Sequence, residues 1–230
     1  MIETTHSLHS PSLGYVKKLW ILKPDGAQPA ERLLEFTDAE IYLHRVRARE
    51  AVRPWVDAAP KPTCVVFVSH GTEEQRHSES LFNRAFSSFL CVELRTLLRD
   101  QHAVAATATA ALCGLSLTGL ATVMAAIHHP GTYEKVAAQS GAYWPEEGRV
   151  LRELEVLAPG VRQAFYFDVG SEETDREGEV MSQQEGIEAV RRALEAKGYS
   201  VGMHVFEGGH SVEGWRAALP RYLEWAAAAP

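Results

Sequence analysis

Apolar and polar positions follow two regimes along the 230-residue chain. Short, nearly continuous apolar runs rich in β-branched residues stand at "YVKKLWIL" (15–22), "RLLEF" (32–36), "TCVVFVS" (63–69), "TAALCG" (109–114), "KVAAQS" (135–140), "QAFYFDV" (163–169) and "YSVGMHVF" (199–206). Several lack polar alternation, the pattern of strands covered on both faces of a parallel sheet. Between them, apolar residues recur at helical spacing over about 44–58, 79–99, 117–128, 182–197 and 212–228. Strand and helix therefore take turns, which predicts βαβ units, an α/β class, a mostly parallel central sheet and helices on both of its faces. "KPDGAQPAE" and "EEGRVLRELEVLAPG" read as surface connections from their Pro, Gly and charge content. No repeat or linker interrupts the pattern, so a single domain over 1–230 without a separate lid is expected.

The run from Ala103 to Ile127 carries no charge and is long enough to span a bilayer. It is nevertheless studded with Thr107, Thr109, Ser116, Thr118 and Thr122, and Gly114 and Gly119 interrupt it. A strand, a sharp turn and a buried helix suit that composition better than a membrane helix.

Composition narrows the function classes. A formal net charge of −7 with no basic stripe argues against a nucleic-acid backbone binder. Hydrophobic residues at 46% and charged residues at 23% are those of an ordinary soluble globular protein. Cys64, Cys91 and Cys113 sit among apolar neighbours, which reads as buried thiols in a reducing compartment. The opening "MIETTHSLHSPSLGYVKK" has no basic start followed by an apolar core, so the expectation is a cytoplasmic protein with no membrane partner. Nothing in the sequence sets an oligomeric state.

Candidate chemistry centres on Ser116, in Gly114-Leu115-Ser116-Leu117-Thr118-Gly119 between a strand and an Ala-rich helix. A nucleophile elbow holds its serine on such a turn in strained backbone geometry, with small residues letting strand and helix approach. The Leu117 N–H, at the helix start, is then a candidate oxyanion donor. Thr118 stands where the second elbow glycine is usual, so the strict G-x-S-x-G pattern is broken. A serine becomes a nucleophile when a histidine takes its proton and a carboxylate orients that histidine. "FEGGHSVEGW" offers His210 after the last strand, and "YFDVGSEETD" offers Asp168, Glu172, Glu173 or Asp175 after the one before it. Sequence position does not separate Glu173 from Asp175. Ten histidines raise the question of a metal, but His204 and His210 lack the spacing of a usual site, and His128-His129-Pro130 reads as a helix end. No metal or other cofactor is expected.

These segments resemble the enterochelin esterase-like branch of the α/β-hydrolases, the esterase D group, over nearly the whole chain. The resemblance runs through Arg76, Glu79, Asn83, Phe86, Phe89, Glu93 and Leu94, through "CGLSLTGLATVMAAIHHPGTYEKVAAQSGAYW", and through "DVGSEE" and "FEGGHSVEGWRAALP". It implies a three-layer α/β-hydrolase sandwich and hydrolysis of a small-molecule carboxylic ester, thioester or lactone through an acyl-enzyme. By position it implies Ser116 as nucleophile, His210 as general base, Glu173 as acid with Asp175 as the alternative, and Ala39 beside Leu117 at the oxyanion hole. Ala39 follows Asp38 where the family commonly has glycine. Tyr143, Trp144 and Trp215 are candidates to line a substrate pocket; Arg76 is another, unless it pairs with Glu79. A hydrolase-fold module that binds a small ligand or protein partner without turnover is the alternative that Thr118 and Ala39 motivate.

Overall fold

The computed structural model describes residues 1–26, 28–159, 162–174 and 181–228. Its strands are β1 (Ile2–Ser10), β2 (Tyr15–Lys23), β3 (Ala30–Phe36), β4 (Thr63–Val68), β5 (Val104–Leu115), β6 (Lys135–Gln139), β7 (Ala164–Gly170) and β8 (Ser200–Phe206). They form one sheet in the order β1-β2-β4-β3-β5-β6-β7-β8. β2 runs antiparallel to both β1 and β4, and every later neighbouring pair is parallel. β4 and β6 are buried along their full length, as their unalternating apolar character requires.

The helices are α1 (Ala48–Ala58), α2 (Glu73–Ser80), α3 (Arg84–Ser88), α4 (Arg95–Gln101), α5 (Ser116–His128), α6 (Pro145–Glu155), α7 (Gln183–Ala196) and α8 (Val212–Ala227). On one face, Val52 of α1 and Leu219 and Tyr222 of α8 join a core with Phe36 and Phe67. On the other, helices α3 to α7 bury Phe86, Leu98, Val123, Leu154 and Val190 with Val66, Leu112 and Phe167. The result is a three-layer sandwich. The uncharged run divides at Ser116, the first half lying in β5 and the second in α5, and among the described residues no helix is long and apolar enough to cross a membrane.

The structure departs from the expected elements in three places. The amino-terminal segment forms β1, an edge strand paired on one side only, whose mostly exposed positions leave little apolar signal to read. The helix expected over 79–99 is broken into α2, α3, a π-helical turn at Phe89–Leu94, and α4. The break falls at 81–83, where Phe82 is left-handed with φ of 53° and the Asn83 side chain accepts from the Phe86 N–H to start α3. The third departure concerns 146–160, read as a connection, much of which is α6. There Val150 and Leu154 lie one turn apart on the buried face, after a left-handed turn at Glu146, Glu147 and Gly148.

Burial also sets a pH dependence. Glu35, buried in the sheet, has its carboxyl pushed up to about 7 by desolvation, against the pull of Arg95 and the Tyr133 hydroxyl. A carboxyl raised in the folded state binds its proton more tightly there than when unfolded. Its contribution is therefore full below the ordinary value of 4.5 and lost as pH rises to about 7. We expect Glu35→Gln, relative to the parent, to gain in melting temperature between about pH 5 and about pH 8, by the equivalent of a few kcal/mol at most. Thermal unfolding of both proteins at the two pH values checks the sign.

Candidate active site

Parallel strands carry their carboxyl ends to one edge of the sheet, where open α/β sheets place their sites. Ser116 follows β5, Ser140 follows β6, Glu173 lies just beyond β7, His210 beyond β8, and Asp38 beyond β3. His210 Nε2 is 2.9 Å from Ser116 Oγ. On its other side, His210 Nδ1 is 2.7 Å from Glu173 Oε2. The histidine stays partly open while the glutamate is buried, with side-chain exposures of 39% and 3%. The arrangement can pass a proton from the serine to the imidazole and hold the resulting imidazolium against a carboxylate.

The second glutamate oxygen is fixed as well. Glu173 Oε1 accepts from Ser140 Oγ at 2.7 Å and from the Gly170 N–H at 2.8 Å. Ser140 Oγ in turn accepts from Trp215 Nε1 at 3.0 Å, and the Trp215 ring meets His210 edge-on at 5.0 Å between centroids. Trp215 thus touches the histidine and also steadies the acid through Ser140. Trp215→Phe keeps an aromatic ring but removes that donor, and we expect kcat to fall about threefold to tenfold, the worth of one neutral hydrogen bond. Steady-state kinetics normalised to titrated active sites measures it.

The elbow's backbone is left-handed at Ser116, with φ of 50°. A Cβ on Gly114 would fall 2.4 Å from the Thr118 carbonyl oxygen, so only glycine fits there without a shift. Gly119 does the close packing expected of the missing elbow glycine: a Cβ on it would meet Gly141 Cα at 2.9 Å and Ala138 Cβ at 3.0 Å. Thr118 therefore need not be small. Its hydroxyl lies 3.0 Å from Asp38 Oδ2 and accepts from the Leu115 N–H at 3.2 Å. Across the gap, the left-handed residue is Asp38, with φ of 58°, while Ala39 has ordinary negative φ. Both departures from glycine thus occur where a side chain is tolerated.

Leu117 is in the first turn of α5, and Ala39 opens the helical turn whose Ile41 and Tyr42 N–H groups bond back to the Asp38 carbonyl. First-turn N–H groups have no partner within their own helix and sit at its positive end. Asp38 itself is held from three sides. Arg76 Nη2 donates to Oδ2 at 2.7 Å, Arg76 Nε to Oδ1 at 2.8 Å, and His70 Nδ1 lies 2.8 Å from Oδ1. Burial works to raise its carboxyl, but His70 and Arg76 outweigh that and hold it below the usual carboxylate range.

An open cleft of about 650 Å³ lies over Ser116 and His210, and Arg45, Arg76, Trp215 and Arg216 line it. Other expectations shift. Tyr143 is buried in the core beside Phe167 and lines no part of the cleft, because its ring fills the space next to Gly141. Trp144 is half-buried at the start of α6 and is not among the cleft's lining residues. Arg76 and Glu79 do not pair: Arg76 serves Asp38, and Glu79 makes a buried ion pair with Lys17 at 2.7 Å. Glu172 is exposed, Asp168 is buried within β7 with its carboxyl pushed up to about 7 by desolvation, and Asp175 lies outside the described residues. Ser140, His70 and the carboxylate role of Asp38 were not read from the sequence; a polar residue one or two positions beyond a strand's carboxyl end was the only signal. Among the described residues, no three His, Cys, Asp or Glu side chains gather as a metal-binding group.

The layered, mostly parallel sheet between two layers of helices is that of the α/β-hydrolase fold. Residues 12–226 match the family model described as "Putative esterase", and the chain belongs to that family. It is similar to the iron(III) enterobactin esterase of Dickeya dadantii (strain 3937), 29% identical over 126 residues, which are 49% of this chain and 28% of that protein. In structure it resembles the enterobactin esterase of Shigella flexneri, with a TM-score of 0.81 at 20% identity, covering 98% of this chain and 59% of that one. The S-formylglutathione hydrolase FrmB of Staphylococcus aureus matches over nearly its whole length, with a TM-score of 0.75 at 12% identity, covering 99% of this chain and 96% of that one. The chain thus spans less than two thirds of the enterobactin esterases it matches.

Proposed function

We propose that this chain hydrolyses a small-molecule carboxylic ester, thioester or lactone through an acyl-enzyme on Ser116. The observation that carries the reading is the unbroken line of contacts from Ser116 Oγ to His210 at 2.9 Å and on to Glu173 at 2.7 Å. In this scheme Ser116 Oγ attacks the carbonyl carbon while His210 Nε2 takes its proton. The oxyanion accepts from the N–H groups of Leu117 and Ala39, whose helix-start positions favour negative charge. Collapse of the tetrahedral intermediate expels the alcohol or thiol, which leaves with the proton from His210. Water then enters, gives its proton to His210 and attacks the acyl carbon. A second collapse releases the acid and returns the proton to Ser116. Glu173, pinned by Ser140 and Gly170, keeps Nδ1 protonated so that Nε2 is the free base.

Family membership supports the ester bond as the target, and the cleft of about 650 Å³ supports a small substrate. The reaction as written needs only the chain's own residues and water. The test is rapid quenching of the enzyme mixed with an excess of an activated acetate ester, followed by intact-mass and peptide mapping. We expect a product burst of one equivalent and the mass of one acetyl group on Ser116. Turnover without any acylated serine, or acylation at another residue, overturns the assignment. Absence of turnover on activated esters of any kind points instead to the ligand-binding module.

A further inference from the structure

We infer that Thr118 and Asp38 form a clamp that locks the two oxyanion donors to one another; the inference rests on the acyl-enzyme reading above. Thr118 directly follows Leu117, and Asp38 directly precedes Ala39, so each clamp residue is one peptide bond from a proposed donor. The two chains arrive side by side from β5 and β3, whose last shared bond joins the Thr37 N–H to the Cys113 carbonyl at 2.9 Å. Beyond that bond the two segments no longer pair, β3 ending and β5 running on beside β6 to Leu115, and the 3.0 Å contact between Thr118 Oγ1 and Asp38 Oδ2 joins them again.

The chemistry fixes the direction of that contact. A hydroxyl has one proton and two lone-pair positions. The Leu115 N–H fills one lone pair at 3.2 Å, and the proton faces Asp38 Oδ2 and the Leu115 carbonyl, both at 3.0 Å. The carboxylate is the stronger acceptor. Asp38 cannot swing away to break the bond, because its side chain is fully buried and both its oxygens are engaged by Arg76. His70 closes the remaining side at 2.8 Å. Glycine at 118 would offer no such bond, and the close approach that an elbow glycine normally allows is made one residue later by Gly119. The departure from the elbow pattern is thus an added hydrogen bond between the two halves of the oxyanion hole. Thr118, Asp38, Arg76 and His70 are positioning residues: none needs to touch substrate.

The test uses Thr118→Val, which keeps the branched shape but lacks the hydroxyl, and Thr118→Ser, which restores it. Both are assayed on an activated ester with active sites titrated, so that loss of folded protein does not count as loss of rate. We expect Thr118→Val to lower kcat about tenfold to hundredfold, the scale of a misplaced donor, with KM within about twofold. Thr118→Ser should return kcat to within about threefold of the parent. In a double-mutant cycle Thr118→Val and Asp38→Ala should be less than additive, since they share one contact, although Asp38→Ala alone costs more because it also strips Arg76 and His70 of their partner. A Thr118→Val enzyme with parental kcat, or a loss that serine does not restore, overturns the clamp and leaves the acyl-enzyme reading standing. A parent without Ser116-dependent turnover overturns both.

Discussion

Ser116→Ala is expected to lower kcat by at least about 10⁴-fold on any ester the parent turns over. Alanine removes the atom that would form the acyl bond and leaves His210 facing no proton donor. Whatever rate survives comes from binding and from the oxyanion donors, which polarise the carbonyl for attack by water. The fold should be spared, since the change deletes one half-exposed oxygen, and φ of 50° at this position is no harder for alanine than for serine. Two measurements together make the point. Initial rates on an activated ester give the loss, and intact mass after a fluorophosphonate probe should show one adduct on the parent and none on the variant. An alanine variant retaining a tenth of the parent's rate would remove Ser116 from the reaction.

Glu173→Gln tests the other end of the relay and separates the acids that crowd one loop. Two donors, Ser140 Oγ and the Gly170 N–H, point at Glu173 Oε1 and fix which way an amide must sit. Its carbonyl oxygen would face them, which turns the NH₂ toward His210 Nδ1. The imidazole then has to accept at Nδ1 and carry its proton on Nε2, aimed at Ser116, where no base remains. We expect kcat to drop about 10³- to 10⁴-fold at neutral pH with the melting temperature little changed. Asp175→Asn, made in parallel, should stay within about threefold of the parent. The reverse ranking would move the role of acid to Asp175.

What could be read from the sequence follows from where each signal originates. Strands covered on both faces announce themselves by composition, so β4 and β6 were legible from "VVFV" and "VAAQ". β1 was not, because an edge strand has one neighbour and needs few apolar residues. The split of the 79–99 region depends on Asn83 capping, a contact of one side chain with a backbone group three residues on, which competes with an otherwise continuous helical spacing. At the site, glycines flag the loops that carry Ser116 and His210. The acid was harder, since Glu172 and Glu173 differ in burial, and burial depends on β8 and α7 closing over the loop. Tyr143 was misplaced for a related reason: an aromatic residue after a strand reads alike whether it faces a cleft or a core. The Trp215–Ser140–Glu173 relay and the Thr118–Asp38 contact join segments tens of residues apart, and no local pattern encodes them.

Three residues at the carboxyl edge of the sheet share one backbone habit: Asp38, Ser116 and Ser140 adopt φ of 58°, 50° and 46°. Each holds a conformation that L-residues resist by roughly 1–2 kcal/mol and that glycine accepts freely. At Asp38 and Ser140 the side chains hold buried partners, Arg76 and His70 in one case and Glu173 and Trp215 in the other, so glycine there would lose more than it gains; at the half-exposed Ser116, variants selected for heat tolerance alone would gain by exchange for glycine and lose the oxygen that the proposed chemistry uses. Thermal selection on this scaffold should accordingly be run with an activity screen in every round, because one stabilising exchange lies at its proposed nucleophile.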